Sequence, residues 1–124
     1  MTSTLALRIT GISGFIAVCL GAFGAHGLKN LLEQNGRLPN WETAVLYHLV
    51  HTVVMLFVCL RSPFFPKQWW AFFIGNLIFS GSLYILSVTN ITKLGMITPF
   101  GGLAFLAGWL MLAFQRTPAP HQAQ

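Results

Sequence analysis

TAVLYHLVHTVVMLFVCL, residues 43–60, runs for 18 positions without a Lys, Arg, Asp or Glu and holds two histidines, His48 and His51. A bilayer core about 30 Å thick takes roughly 20 helical residues to cross, and backbone polar groups in lipid must be satisfied within the helix. The stretch is therefore expected to span a membrane. Working outward, Trp69–Val88 and Leu94–Phe114 are equally free of charge, and Leu5–Ala25 carries only Arg8. The expected fold is all-α: an antiparallel, integral membrane four-helix bundle with spans at about residues 5–25, 43–60, 69–88 and 94–114. It forms one domain over residues 1–114, with a disordered polar tail at 115–124.

The composition agrees, with 55% hydrophobic residues, 7% charged residues and a formal net charge of +5. Seven basic residues scattered singly over short loops and helix ends suit membrane topology and headgroup attraction, so nucleic acid is excluded as a partner. No phosphate loop, dinucleotide fingerprint or nucleophile elbow is present, and no catalytic residues are assigned. Cys19 and Cys59 fall at very different depths, beyond a disulfide's reach of roughly 6 Å, and are expected as free thiols. The N-terminal stretch is long for a signal peptide and is read as a retained first span.

An even number of spans puts both termini on one side, here called near. Arg8, Arg61, Lys67 and Arg116 lie near, against Lys29, Arg37 and Lys93 on the far side, so the termini are expected in the cytoplasm and the protein in the bacterial inner membrane. The first connection should hold a short interfacial helix ended at Asn35-Gly36. Asn40 is the expected N-cap of the second span, with Trp41 at the interface, and Trp69-Trp70 should form an aromatic belt.

Chemistry concentrates in few places. His48 and His51 share one helical face and must look inward, since lipid would strand their nitrogens. A pair at i, i+3 can hold one ion, so a metal or haem site is one reading; imidazoles that hydrogen-bond neighbouring helices are the other. No cofactor is required by the second. Asn76, Ser80, Tyr84 and Ser87 fall within an arc of about 80°, which either lines a hydrated cavity or bonds across helices. Gly11, Gly14, Ala17, Gly21 and Ala25 share a face that lets a backbone approach closely, in the bundle or in a homo-oligomer. Pro99 either kinks the fourth span or starts a fresh helix with Thr98 as its cap.

Helix direction places His26, His48, His51, Ser80, Tyr84, Ser87 and Thr98 all in the far half of the bilayer, which suggests a shared polar pocket there. Gly14, Gly21 and Pro99 are read as packing residues.

Four motifs in order carry a resemblance: Gly21-Ala22-Phe23-Gly24-Ala25-His26-Gly27; Trp41-Glu42-Thr43-Ala44 with Tyr47-His48-Leu49-Val50-His51; Phe79-Ser80-Gly81-Ser82-Leu83-Tyr84; and Ile97-Thr98-Pro99-Phe100-Gly101-Gly102 with Gly108-Trp109. Over roughly residues 5–114 the chain resembles the small membrane family catalogued as domain of unknown function 423, which includes eukaryotic transmembrane protein 256. The resemblance implies a four-span architecture and a membrane location, and brings no established activity. The expected role is a non-catalytic binding, scaffold or assembly component, with membrane lipid, a second copy or another membrane protein as partner. A metal- or haem-binding protein using His48 and His51 is the alternative, and a small oligomeric transporter or channel a more distant one, because no span buries an Asp or Glu to relay ions.

Overall fold

The structure is a computed structural model that describes residues 1–116. The disordered-tail expectation therefore falls almost wholly outside the described residues. Within the described residues, Gln115 accepts hydrogen bonds from Arg61 at 2.7 Å and from Gln68 at 3.0 Å.

Four helical spans form, and every described element is helical. The first is α1, Ser3–Ala25, capped by Thr2, whose hydroxyl accepts from the Leu5 N–H. A short helix α2, Lys29–Gln34, follows. It ends as expected at Asn35 and Gly36, with Gly36 at φ +66°. The Arg37 N–H reaches the Leu32 carbonyl and the Gly36 N–H the Glu33 carbonyl, the paired bonds that close a helix on a left-handed glycine.

The second span, α3, covers Leu38–Leu60 and begins earlier than expected. Pro39 sits in its first turn, where a missing N–H costs nothing, so Asn40 is inside the helix and is not its cap. The third span runs from Pro66 to Thr89 as α4 (Pro66–Gly75), one π-helical turn at Asn76–Ser80, and α5 (Gly81–Thr89). The fourth comprises a 3-10 turn at Thr92–Met96 and then α6, Thr98–Ala113. Pro99 thus starts a fresh helix, but Thr98 is not the cap: its hydroxyl lies 2.6 Å from that of Ser82 and joins the last two spans.

The bundle buries its polar side chains within an apolar core and is apolar outside as well. Thr10, His48, His51, Thr52, Asn76, Ser80 and Ser87 are buried, while Phe15, Phe57, Leu77 and Leu103 stand on the surface that the bilayer covers. Lipid is as apolar as Leu, so burial of apolar area does little to hold such helices together; close fit and interhelical hydrogen bonds take over.

Glycines provide the fit. Gly14 and Gly21 of α1 face Thr52 and Val45 of α3, a Cβ on Gly21 lying 3.3 Å from Val45, so the small-residue face is used within the bundle. Gly11, on the same face, has open space. Gly24 is tighter still, because the Trp41 indole rests on its backbone and donates from Nε1 to the Leu20 carbonyl at 2.9 Å. Trp41 is therefore an inward anchor and not an interfacial ring. Trp69 departs from the belt in the same way: it is fully buried and donates to the Thr10 hydroxyl at 2.9 Å, leaving Trp70 at the surface. The last two spans interlock through Gly75 beneath Phe105, Gly108 beneath Phe72, and Gly101 against the backbone of Phe79 in the π turn. Cys19 and Cys59 are free.

Candidate functional site

His48 and His51 both point into the bundle, 8% and 5% exposed, but they turn to different neighbours. His51 faces the fourth span. Its ring stacks on Phe105 at 3.7 Å between centroids, and its Nε2 accepts from the Trp109 indole N–H at 3.1 Å. An indole nitrogen only donates, so Nε2 carries the lone pair and Nδ1 the proton, which goes to the Tyr47 carbonyl at 2.8 Å. Both nitrogens are committed.

His48 faces the first and third spans. Its Nε2 is 3.0 Å from the Ser13 hydroxyl of α1, and its Nδ1 is 3.0 Å from the Tyr84 hydroxyl of α5. Ser13 in turn lies 2.9 Å from Thr52, and the Thr52 hydroxyl accepts from the Asn76 amide at 3.4 Å. A chain of five side chains, Tyr84, His48, Ser13, Thr52 and Asn76, thus links three spans. It stops at Asn76, whose Oδ1 is buried with no hydrogen-bond partner among the described residues. For one ion to take both imidazoles, His51 would have to release Trp109 and His48 one end of this chain. Among the described residues no three His, Cys, Asp or Glu side chains gather as a metal-binding group. The arrangement is that of two separately bonded imidazoles.

The other far-half residues are distributed and do not meet in one cavity. His26 is exposed at the end of α1 beside Cys19 and Phe23. Ser80 donates to the Ala44 carbonyl of α3 at 2.8 Å, and Ser87 to its own Leu83 carbonyl at 2.6 Å; both are fully buried and spent. Thr98 and Pro99 line a hollow of about 450 Å³ with Arg37 and Asn40, on the fourth-span side. Only Tyr84 joins His48.

What does form around that pair is a groove of about 380 Å³ between the first and third spans. Ile9, Ile12, Ile16 and Leu20 make one wall and Phe73, Leu77 and Gly81 the other, with Ser13, His48, Asn76 and Tyr84 as the polar floor. No Lys, Arg, Asp or Glu lines it. The π turn begins at Asn76, and single π turns recur at functional sites in helices.

Sequence reasoning missed Ser13, Thr52 and Trp109. Ser13 lies one residue before Gly14 on a helix read for its glycines, and Thr52 is the residue after His51; both were visible as polar residues in spans. Trp109 entered only as part of a family motif, and only the tertiary fold turns its N–H to His51. Asn35 was read as a helix stop, whereas its side chain also donates to the Ser87 and Val88 carbonyls at 3.0 and 3.1 Å, capping the far end of the third span.

Residues 20–102, which hold most of these groups, match the family described as "Protein of unknown function (DUF423)". The chain belongs to this family. It is 43% identical over 107 residues to the UPF0382 membrane protein YwdK of Bacillus subtilis, covering 82% of this chain and 86% of that one. A UPF0382 membrane protein of Haemophilus influenzae is 40% identical over 113 residues, covering 87% and 90%. The UPF0382 inner membrane protein YgdD of Escherichia coli is 37% identical over 118 residues, covering 90% and 88%. No solved structure matches the chain. The DUF423 chain is thus a four-span membrane protein of a family whose function is described as unknown.

Proposed function

We propose that this DUF423 protein is a non-catalytic binding component of the bacterial inner membrane, which takes an amphipathic lipid from the bilayer into the groove between its first and third spans. The single observation that carries this is the groove itself: apolar walls facing lipid, above a floor of Ser13, His48, Asn76 and Tyr84. A polar floor at bilayer depth is costly unless it is paired or serves a ligand. The floor is mostly paired, which makes it rigid and preorganised, and a preorganised site loses little entropy when it is filled.

Gly81 provides the test. Gly81 lines the groove, and a Cβ there meets no atom within 4 Å, so Gly81→Leu brings a side chain to the groove from a position with room for its first carbon. Lipids retained by the purified parent and by Gly81→Leu are compared by native mass spectrometry. The parent should hold a lipid that the variant, equally folded, has lost; identical retention overturns the assignment.

The inner-membrane location rests on the Escherichia coli relative's printed name and on four apolar helices. Both termini are placed in the cytoplasm on the excess of near-side basic residues, four against three. A reporter fused after Gln124 should behave as cytoplasmic, and activity of a periplasm-dependent reporter there would reverse the orientation.

A further inference from the structure

The hollow of about 450 Å³ among the far ends of the second, third and fourth spans carries a charge that the protein does not balance. Arg37, half-buried just ahead of α3, is the single ionisable residue lining it. The whole chain has two acidic residues, Glu33 and Glu42, and neither lines the hollow.

Two bonds hold this cation in place. The Arg37 backbone N–H closes α2 on the Leu32 carbonyl at 2.8 Å, and its Nε donates to the Asn90 Oδ1, also at 2.8 Å. Asn90 is itself fixed, as the left-handed residue that ends α5 at φ 56°. The bond from Nε leaves both Nη groups, whose four N–H have no acceptor among the described residues. A guanidinium presents paired donors that match the oxygens of a phosphate or carboxylate.

Below Arg37 the hollow is apolar. Phe79, Leu83 and Leu86 follow one another at helical spacing along one wall, and Phe79 lies ten residues before the span's end at Thr89, about 15 Å into the bilayer. Thr92 and Gly95, from the 3-10 turn that interrupts the fourth span, stand on another side. Gly95 keeps that side open, since a Cβ there would meet only the Leu86 side chain, at 4.0 Å.

We infer that this hollow is a second lipid site, which takes an anionic phospholipid with its phosphate on the Arg37 Nη groups and an acyl chain along Phe79, Leu83 and Leu86. It shares no lining residue with the groove between the first and third spans, and stands without it. Phosphate is the anion that a bilayer supplies at the level of a span's end, where Arg37 lies. Net charge selects among phospholipids. A choline or ethanolamine head brings an ammonium that needs an anion of its own, and the hollow has none. A glycerol head leaves the phosphate as the sole charge, and Asn40 and Thr92 offer neutral partners for its hydroxyls.

The test titrates the purified protein in detergent with dioleoylphosphatidylglycerol, dioleoylphosphatidylcholine, oleate and glycerol 3-phosphate, read by native mass spectrometry. Phosphatidylglycerol should bind about tenfold more tightly than phosphatidylcholine. Arg37→Gln should bring that preference below about twofold, while Lys29→Gln, which removes a far-side charge outside the hollow, leaves it intact. Gly95→Leu should weaken both phospholipids alike, because its side chain enters the path of the acyl chain. In the unaltered protein, a phosphatidylglycerol with a photoreactive head should label residues 37–40 and 92–99.

Equal binding of the two phospholipids by the unaltered protein, or labelling confined elsewhere, overturns the inference even where a variant does not fold. So does a preference that Lys29→Gln lowers as far as Arg37→Gln, which would mean diffuse charge. Oleate binding as tightly as phosphatidylglycerol would replace the phospholipid by a carboxylate amphiphile, and glycerol 3-phosphate binding as tightly would replace it by a soluble phosphate. Gly81→Leu should leave the labelling unchanged, so failure of the groove between the first and third spans does not remove this site.

Discussion

Replacing Gly101 by alanine adds one methyl group, and the structure fixes where it goes. The new Cβ lies 2.7 Å from the Cα of Phe79, with the Phe79 backbone nitrogen closer still. Carbon atoms pack best at about 3.5–4.0 Å, so the two helices must part by about 1 Å. No rotamer change relieves the clash, because the obstacle is backbone. Parting the helices also loosens Phe105 from Gly75 and Phe72 from Gly108, the other seats of the same interface. A forced gap of this size costs about 1–3 kcal/mol, against a gain of roughly 0.8–1.0 kcal/mol from replacing glycine in a helix. The neighbouring residue is the control. At Gly102 an added Cβ meets only the Phe79 ring, at 3.9 Å, so Gly102→Ala should be neutral or slightly stabilising. Equilibrium unfolding in mixed micelles measures both variants. Gly101→Ala as stable as Gly102→Ala would mean that α6 does not seat on the π turn, and the fourth span would have to be redrawn.

Two further outcomes follow from individual bonds. His51→Leu leaves the Trp109 N–H without its acceptor and should cost about 1–3 kcal/mol, while a double-mutant cycle with Trp109→Phe should return a coupling of about 0.6–1.7 kcal/mol; a coupling near zero would mean that the indole points elsewhere. Asn35→Ala removes both donors to the Ser87 and Val88 carbonyls and should cost about 0.5–2 kcal/mol, with faster hydrogen exchange at Thr89 and Asn90 and none in α1. Unchanged exchange there would remove the capping role.

The four spans were legible because uncharged stretches of some 20 residues admit few other folds, and their boundaries came within a few residues of the helices. Pro39 moved one start because a proline that forbids a helix interior is well tolerated in a first turn. The inward orientation of His48 and His51 was also legible, from polarity alone. Which helix each ring meets was not, because residues three apart diverge by about 60° around the axis, enough to select different neighbours in a four-helix bundle. The placement of Trp41 and Trp69 inside the bundle was hidden for a related reason. An indole at a span's end satisfies the rule for interfacial rings, and only the small residues opposite, Gly24 and Thr10, distinguish an anchor from a belt. Asn76 shares the polar arc of the third span but not the far-half set, yet it sits where the chain of bonds ends and the π turn begins. Local spacing gives no notice of an unmatched carbonyl.

The bonds from Asn35 also bear on how the protein is made. During synthesis the third span leaves the ribosome after α2 is complete, with its last carbonyls facing the far interface. Their donor is already there, held by Gly36 at the end of α2. The first connection thus carries the donors that cap the third span, and Arg37 donates to Asn90 beside them at 2.8 Å. Shortening the first connection would take those donors out of reach, so the loop's length is set by the distance between two helix ends and not by the turn it has to make.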